Sequence, residues 1–525
     1  MRFLLAAIVL LFASPANAVT WHEAETTHFK IVSAGDEKDL RKFAERLEYF
    51  HTLLRLATGV SETGRPVVKV RVYLVNSIGD VKRLYGAPGS DVAGFYSPRE
   101  DGAIAVVPRT TGDGIFTGQL VLFHEYSHHY MLQYTPVAYP SWYVEGFAEI
   151  ASTASFERKG AITFGKAASH RQYELDEGMS YPVAKMLDGT YLKDRAKGRG
   201  WSYGDAWTLT HYLTFTDKRR GQLRAYLSAI NAGKKMSEAA LVFGDMGELQ
   251  REVTSYLAGR SFPYRAVPIT EGSAGPISVR TLGDAEAALI DLTIEAERRL
   301  ALPSKDEGAD SKQGDEKKND AAPKVDFDKR LADAKQARAE WIAKIEAIAS
   351  RYPGETAGWL LLADARCATE EYAACTAAAD HALAIAPENE RALVRKAEAM
   401  IGAAHDLPPV ERNNRAAAAQ AMLLKANAAD PNDPLALLWL YKSYGAMGKR
   451  ADADGLAALL TVVQLIPQEE GPRLILAQEL MQRGRMRDAR IILRPLAYSP
   501  HENGASRLAR TLLDQVEAAL GLSSP

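Results

Sequence analysis

The run Val121-Leu122-Phe123-His124-Glu125-Tyr126-Ser127-His128-His129-Tyr130 holds the residue types and spacing best suited to chemistry. Residues four apart share one face of a helix, so His124 and His128 can offer ring nitrogens to a single cation. Glu125, about 100° further round the helix, falls beside that cation rather than on it, where a carboxylate can act on a metal-bound water. The competing reading is two histidines and a glutamate on an ordinary, partly exposed helix.

A second cluster follows at Pro140-Ser141-Trp142-Tyr143-Val144-Glu145-Gly146-Phe147-Ala148-Glu149. Ser141 is a candidate N-cap, and a helix starting there carries Glu145 and Glu149 one turn apart on one face. Zinc takes three protein ligands and keeps an open position where it does chemistry, and Glu145 suits the third place. Glu149 can accept the second ring N–H of a ligand histidine and fix its tautomer. A solvated acidic face is the alternative, against which Trp142 and Phe147 argue for burial.

These two segments, H-E-x-x-H and then W-x-x-E-G-x-A-E, together resemble the gluzincin metallopeptidases, the clan of thermolysin and aminopeptidase N. The resemblance is closest to peptidase-MA-like domains of bacterial proteins and spans roughly residues 21–262. It implies one Zn²⁺ held by His124, His128 and Glu145, with Glu125 as general base and Glu149 behind the ligands. It also implies an α+β domain, a small mixed sheet with helices carrying the motifs, that hydrolyses peptide bonds of a protein or peptide substrate. Tyr203, in Trp201-Ser202-Tyr203-Gly204-Asp205-Ala206, resembles the clan's oxyanion-donating tyrosine, although Asp205-Ala206 replaces the usual Lys-Gly. The segment that holds a free amine in aminopeptidases is missing from 102–106. An endopeptidase is therefore expected before an aminopeptidase, with strand 102–107 pairing with extended substrate.

Around these residues the chain must supply elements to position them. Strands are expected at 28–33 and 67–75, with a helix over 40–56 between them, on which Leu40, Phe43, Leu47 and Phe50 form one stripe. A hairpin is expected from 92–96 and 102–107. Beyond the metal helices, further helices are expected at 205–215, 221–232, 237–243 and 247–258. His129 and His211 have neither ligand spacing nor partners and read as structural histidines.

Positive and negative residues are nearly balanced, 64 Lys and Arg against 66 Asp and Glu, which gives no reason to expect nucleic acid or an electrostatically held membrane surface. Residues 1–18 read as an export leader: Arg2, an apolar core, then Ala16-Asn17-Ala18. No later stretch is long and apolar enough to span a bilayer, so the mature chain is expected in the periplasm, or else secreted. Cys367 and Cys375 then lie in a disulfide-permissive compartment, either bridged or as two buried thiols.

The domain reading is a leader at 1–18, a zinc metallopeptidase-like unit at 19–265, a connecting segment at 266–282, and helical repeats at 283–525 with a disordered loop at 303–325. In the last part Pro353, Pro387, Pro431, Pro467 and Pro500 close apolar helices near the 34-residue tetratricopeptide period. Trp359, Leu362, Ala363, Tyr372, Ala382 and Pro387 resemble one copy of that repeat. Four or five such hairpins must stack into an all-α solenoid, because none buries its own apolar face. The solenoid reads as a binding surface for partner proteins or as a brace for the first unit. A second function therefore stands beside the peptidase: a non-catalytic envelope scaffold built on the repeats.

Overall fold

The structure is a computed structural model. It describes residues 19–62, 68–90, 92–109, 118–135, 137–157, 160–195, 198–269, 274–303, 327–499 and 503–522. The leader at 1–18 lies outside the described residues, as does the loop expected at 303–325 apart from Pro303.

The first unit is built on a six-stranded mixed sheet of β1 (Trp21–Glu25), β2 (Phe29–Ala34), β3 (Val70–Val75), β4 (Phe95–Ser97), β5 (Ile104–Pro108) and β9 (Ser278–Thr281), in the order β4-β5-β3-β2-β1-β9. Strands β2, β3 and β5 are parallel, and the outer pairs are antiparallel. Alternation along β3 explains how both faces are buried. Val70, Val72 and Leu74 face a core shared with α1 (Glu37–Thr58) and α3 (Gly118–Tyr134), while Tyr73 and Val75 face α2 (Ile78–Tyr85) and α12 (Asp284–Leu300). Helix α1 starts where Asp36 accepts from the Lys38 and Asp39 amides and stops at Gly59 in the left-handed region. Its buried stripe of Leu40, Ala44, Leu47, Phe50 and Leu54 lies on the sheet.

A second layer of helices follows α3: α4 (Ser141–Ser152), α5 (Gln172–Glu177), α6 (Val183–Leu187), α7 (Tyr191–Arg195), α8 (Tyr203–Phe215), α9 (Gln222–Asn231), α10 (Met236–Ala239) and α11 (Met246–Ala258). A three-stranded antiparallel sheet of β6 (Ser155–Glu157), β7 (Ala161–Phe164) and β8 (Arg265–Pro268) closes one side. Ser141 is the first helical residue of α4 rather than its cap. Pro140 holds the cap position without a side-chain bond, and the Tyr191 hydroxyl accepts from the Ser141 amide at 3.2 Å.

Two expectations are corrected by the sheet. Strand β5 is not an edge open to extended substrate: β3 pairs along one side and β4 folds back along the other, Phe95 opposite Val106. The segment 266–282 is not a simple connector. β8 pairs with β7, β9 pairs with β1, and α12 buries Ile290 and Ile294 against the sheet, so this stretch is sewn into the first unit.

The C-terminal part is a tetratricopeptide-like solenoid. Helix Phe327–Arg351 pairs with α12, and the buried Trp341 indole donates to the Leu292 carbonyl at 3.1 Å. Four hairpins follow: Thr356–Ala368 with Tyr372–Ile385, Glu390–Gly402 with Pro409–Ala429, Pro434–Ala446 with Ala453–Leu465, and Glu470–Gln482 with Met486–Ala497. Helix Gly504–Ala519 caps the stack. The longer spacing between Pro387 and Pro431 is taken up by the 21-residue helix Pro409–Ala429, with proline at N1, where its missing N–H costs nothing. Cys367 and Cys375 are bridged across the turn of the first hairpin. Among the described residues no helix is long and apolar enough to cross a membrane.

Candidate metal centre

Helix α3 presents His124 and His128 from successive turns, their rings 4.7 Å apart and nearly perpendicular at 85°. That angle lets two in-plane lone pairs converge on one point. The Nε2 atoms lie 3.1 Å apart, and Glu145 Oε2 stands 3.4 Å from each. Sequence reasoning placed Glu145 there, and the structure brings it in from α4. The close crossing of α4 with α8 explains the glycine next to it. A Cβ on Gly146 would fall 2.3 Å from the Ala206 carbonyl oxygen and 2.1 Å from Thr210 Oγ1, so only glycine fits.

Charge within the cluster is tightly coupled. Burial acts to raise the Glu145 carboxyl, but the two imidazoles outweigh it and hold the group well below the usual carboxylate range. Burial likewise disfavours a proton on His124, and Glu145, Glu149 and Glu125 overcome it, pushing the imidazole up to about 9. The site is therefore arranged for positive charge, which protons or a divalent cation could supply.

Glu149 is fully buried one turn further along α4, with Oε1 3.4 Å from His124 Nδ1. With Nε2 turned to the cluster and Nδ1 to a carboxylate, the His124 ring is fixed in tautomer and direction. Two residues that the sequence reading missed anchor this carboxylate. His170 Nε2 donates to Oε2 at 2.6 Å, and Arg171 donates to Oε1 through Nη2 at 2.7 Å and Nε at 3.2 Å. Burial works against the ionised form, and His170, His124 and Arg171 together hold the carboxyl down at about 2. Both residues sit on the 3₁₀ turn Ser169–Arg171, whose distance from the motifs in sequence offers no periodic signal.

Tyr203 begins α8 and reaches the same centre. Its ring lies 6.3 Å from that of His124, and the Arg171 guanidinium stacks on it at 4.3 Å. Burial first, then the Glu145 charge, pushes the hydroxyl up, so it remains a hydrogen-bond donor. Asp205, where the resemblance expects lysine, is a capping residue. It accepts from the Ser202 amide and, through the Ser180 amide at 2.8 Å, ties the preceding loop to α8. Glu125 is half-buried and lines, with His128, a cleft of about 580 Å³ whose opposite wall includes Gln468, Arg473 and Tyr498 of the solenoid.

A second cluster, His28, His51 and Glu62, also brings ligand-type atoms together. Its rings are stacked, with centroids 3.6 Å apart and a 21° tilt, so their lone pairs run side by side and do not converge on a cation. Glu48 Oε2 lies 2.7 Å from His28 Nδ1, the Tyr126 hydroxyl 2.7 Å from His51 Nδ1, and Glu62 Oε1 2.9 Å from His51 Nε2. This is a hydrogen-bonded core network. His129, bonded to the Tyr96 hydroxyl at 2.8 Å, and His211, between the Tyr256 hydroxyl and the Gly165 carbonyl at 2.7 and 2.8 Å, are likewise structural.

The chain matches no protein-family model. No curated protein matches it either. Solved structures similar to part of it include a thermophilic TPR protein in Thermus thermophilus, at 15% identity and a TM-score of 0.30, covering 35% of this chain and 93% of that one. A MamA double mutant is 16% identical with a TM-score of 0.24, covering 35% and 86%. PilW, described as a widely conserved type IV pilus biogenesis factor, is 21% identical with a TM-score of 0.26, covering 36% and 89%.

The expectation of a zinc endopeptidase, an aminopeptidase or any other protease is withdrawn. Those structures are described as a TPR protein, a MamA double mutant and a type IV pilus biogenesis factor, and none is described as a hydrolase. The expected substrate strand is also paired on both sides. A shared motif does not by itself carry an activity.

Proposed function

We propose that the chain is a non-catalytic scaffold and binding protein of the cell envelope, built on its tetratricopeptide solenoid. In this reading the first unit is a gluzincin-like fold that holds one zinc ion as a structural or partner-binding element. The observation that carries the reading is the docking of the solenoid on the metal-bearing helix. Gln468 Nε2 donates to the His129 carbonyl at 3.2 Å and to Gln133 Oε1 at 3.1 Å, and Gln133 Nε2 donates to the Gln464 carbonyl at 2.9 Å. Binding surface and metal centre thus form one structure, and the cleft between them is where a partner segment would meet both.

The donor set fits zinc: two imidazoles at a converging angle and one carboxylate, on two helices, with Glu149 behind one imidazole. His124, His128 and Glu145 would hold the ion, with Glu125 on the cleft side and the Tyr203 ring beside His124. The Cys367–Cys375 bridge and the leader-like residues 1–18 support an envelope location, periplasmic or secreted.

The test is capture of partners from an envelope extract on the full zinc-loaded chain, run beside digestion of casein and a peptide library. Stable stoichiometric partners and intact substrates are expected. Metal-dependent cleavage that disappears in Glu125→Gln would refute the non-catalytic reading.

A further inference from the structure

The first helices of the first three hairpins pack directly on one another, Thr356–Ala368 on Glu390–Gly402 and that on Pro434–Ala446, whereas their second helices pack less closely. Stacked hairpins curve towards the side on which their helices are closest, so the first helices line the inner face. That face is where such solenoids have room to take an extended segment. In this chain it is turned onto the first unit, against the tight turn that joins β4 to β5.

The turn is Pro98-Arg99-Glu100-Asp101, closed by the Gly102 amide donating to the Arg99 carbonyl at 3.0 Å, with Gly102 at a φ of 101°. Its two acids meet cations of the inner face. Asp101 accepts from Arg391 Nη2 at 3.0 Å, and Glu100 lies 3.7 Å from Lys442 Nζ. Arg391 is itself oriented by Asp364, which accepts from its Nη2 at 2.7 Å and is held in turn by Arg395. The turn keeps its shape from its own side as well: Arg71 donates to Asp101 at 2.7 Å, and Arg99 donates to the Thr293 and Ile294 carbonyls of α12. It does not fill the groove, because a cavity of about 640 Å³ remains among these residues. Glu469 also faces this space. Burial first and Glu100 next push its carboxyl up to about 7.

We propose that the turn 98–101 is a resident, in-chain ligand of the solenoid's inner face, and that a protein partner presenting an acidic segment must displace it to bind there. The inference rests on the reading of the solenoid as a partner-binding surface and specifies the chemistry of the partner. Arg391 and Lys442 select the acids. Tyr96, on the strand that leads into the turn, bonds His129 on the metal helix, so displacement would also be felt at the metal centre.

The probe is a labelled synthetic peptide of residues 95–103, Phe-Tyr-Ser-Pro-Arg-Glu-Asp-Gly-Ala, titrated into the full chain by fluorescence anisotropy. The Glu100→Gln/Asp101→Asn variant, whose own turn no longer competes, is expected to bind it at least tenfold more tightly than the wild type. Adding Arg391→Gln to that variant is expected to remove the gain. Should the double variant fold poorly, hydrogen exchange in the wild type reads the same event: amides of 99–103 should exchange faster with the acidic peptide than with its Gln/Asn version. Equal affinity for wild type and variant, no binding to either, or unchanged exchange would each overturn the proposal. Envelope partners captured in any of those cases would leave the scaffold reading standing, whereas failure of that reading shows as no captured partner at all.

Discussion

Glu149→Gln separates a positioned metal centre from a coincidental cluster of histidines. Glutamine keeps the shape of the side chain, and its carbonyl can still accept from Arg171 or His170, but the charge behind His124 Nδ1 is gone. Losing such a partner of a metal-bound histidine costs about 10–100-fold in metal affinity, or roughly 1.4–2.7 kcal/mol. The effect can be read through stability. With free zinc at about 100 times the wild-type dissociation constant, the ion adds about 2.7 kcal/mol to unfolding. At the same zinc concentration a tenfold weaker site adds about 1.4 kcal/mol and a hundredfold weaker site about 0.4 kcal/mol.

Each protein is compared with itself by urea unfolding with and without zinc, so the cost of disturbing the Arg171 and His170 contacts cancels. Competition with a chromophoric chelator gives the dissociation constants directly. An unchanged zinc increment in Glu149→Gln, with the increment lost in Glu145→Gln, would show that the buried carboxylate does not position His124. No increment in the wild type would end the metal reading altogether.

Two further outcomes follow from packing and burial. Gly146→Ala should separate α4 from α8, because its methyl group meets the Ala206 carbonyl and Thr210. A loss of about 1–3 kcal/mol or more is expected, together with weaker zinc binding, checked by urea unfolding and chelator competition; retention of both would mean the helices can shift apart freely. The second concerns pH. His211 is fully buried, and that burial lowers its imidazole to about 4, the Gly165 carbonyl opposing the shift only in part. Below about pH 6.5 the unfolded chain takes up a proton that the folded chain refuses. Stability should therefore be unaffected above pH 6.5 and fall as the pH drops towards 4, by an amount on the order of 3 kcal/mol. Urea unfolding across pH 4–8 checks this, with His211→Gln expected to flatten the profile in that window.

Much of the centre is legible in the chain alone because its geometry is local. A spacing of four on one helix puts His124 and His128 on one face whatever surrounds them, and Glu145 with Glu149 obeys the same rule on the next helix. The repeat is legible for a related reason: a hairpin that cannot bury its own apolar face has to recur. Helix α1 shows itself through its period of 3.6 and the 92–107 hairpin through the turn residues between its strands, although their ends shift by a few residues.

Residue order could not reveal which surfaces meet. His170 and Arg171 lie 21 and 22 positions beyond Glu149, and only the return of the chain after β7 delivers them to it. Whether strand 102–107 is an open edge depends on β4 folding across it, and whether 266–282 is a linker depends on two distant strands accepting it. The facing of the solenoid's inner surface onto an acidic turn 290 residues away in sequence belongs to the same class of fact. Backbone periodicity acts over one or two turns of chain. Contacts between elements are settled by burial and charge pairing across the whole fold, so a single chain read in order leaves them open.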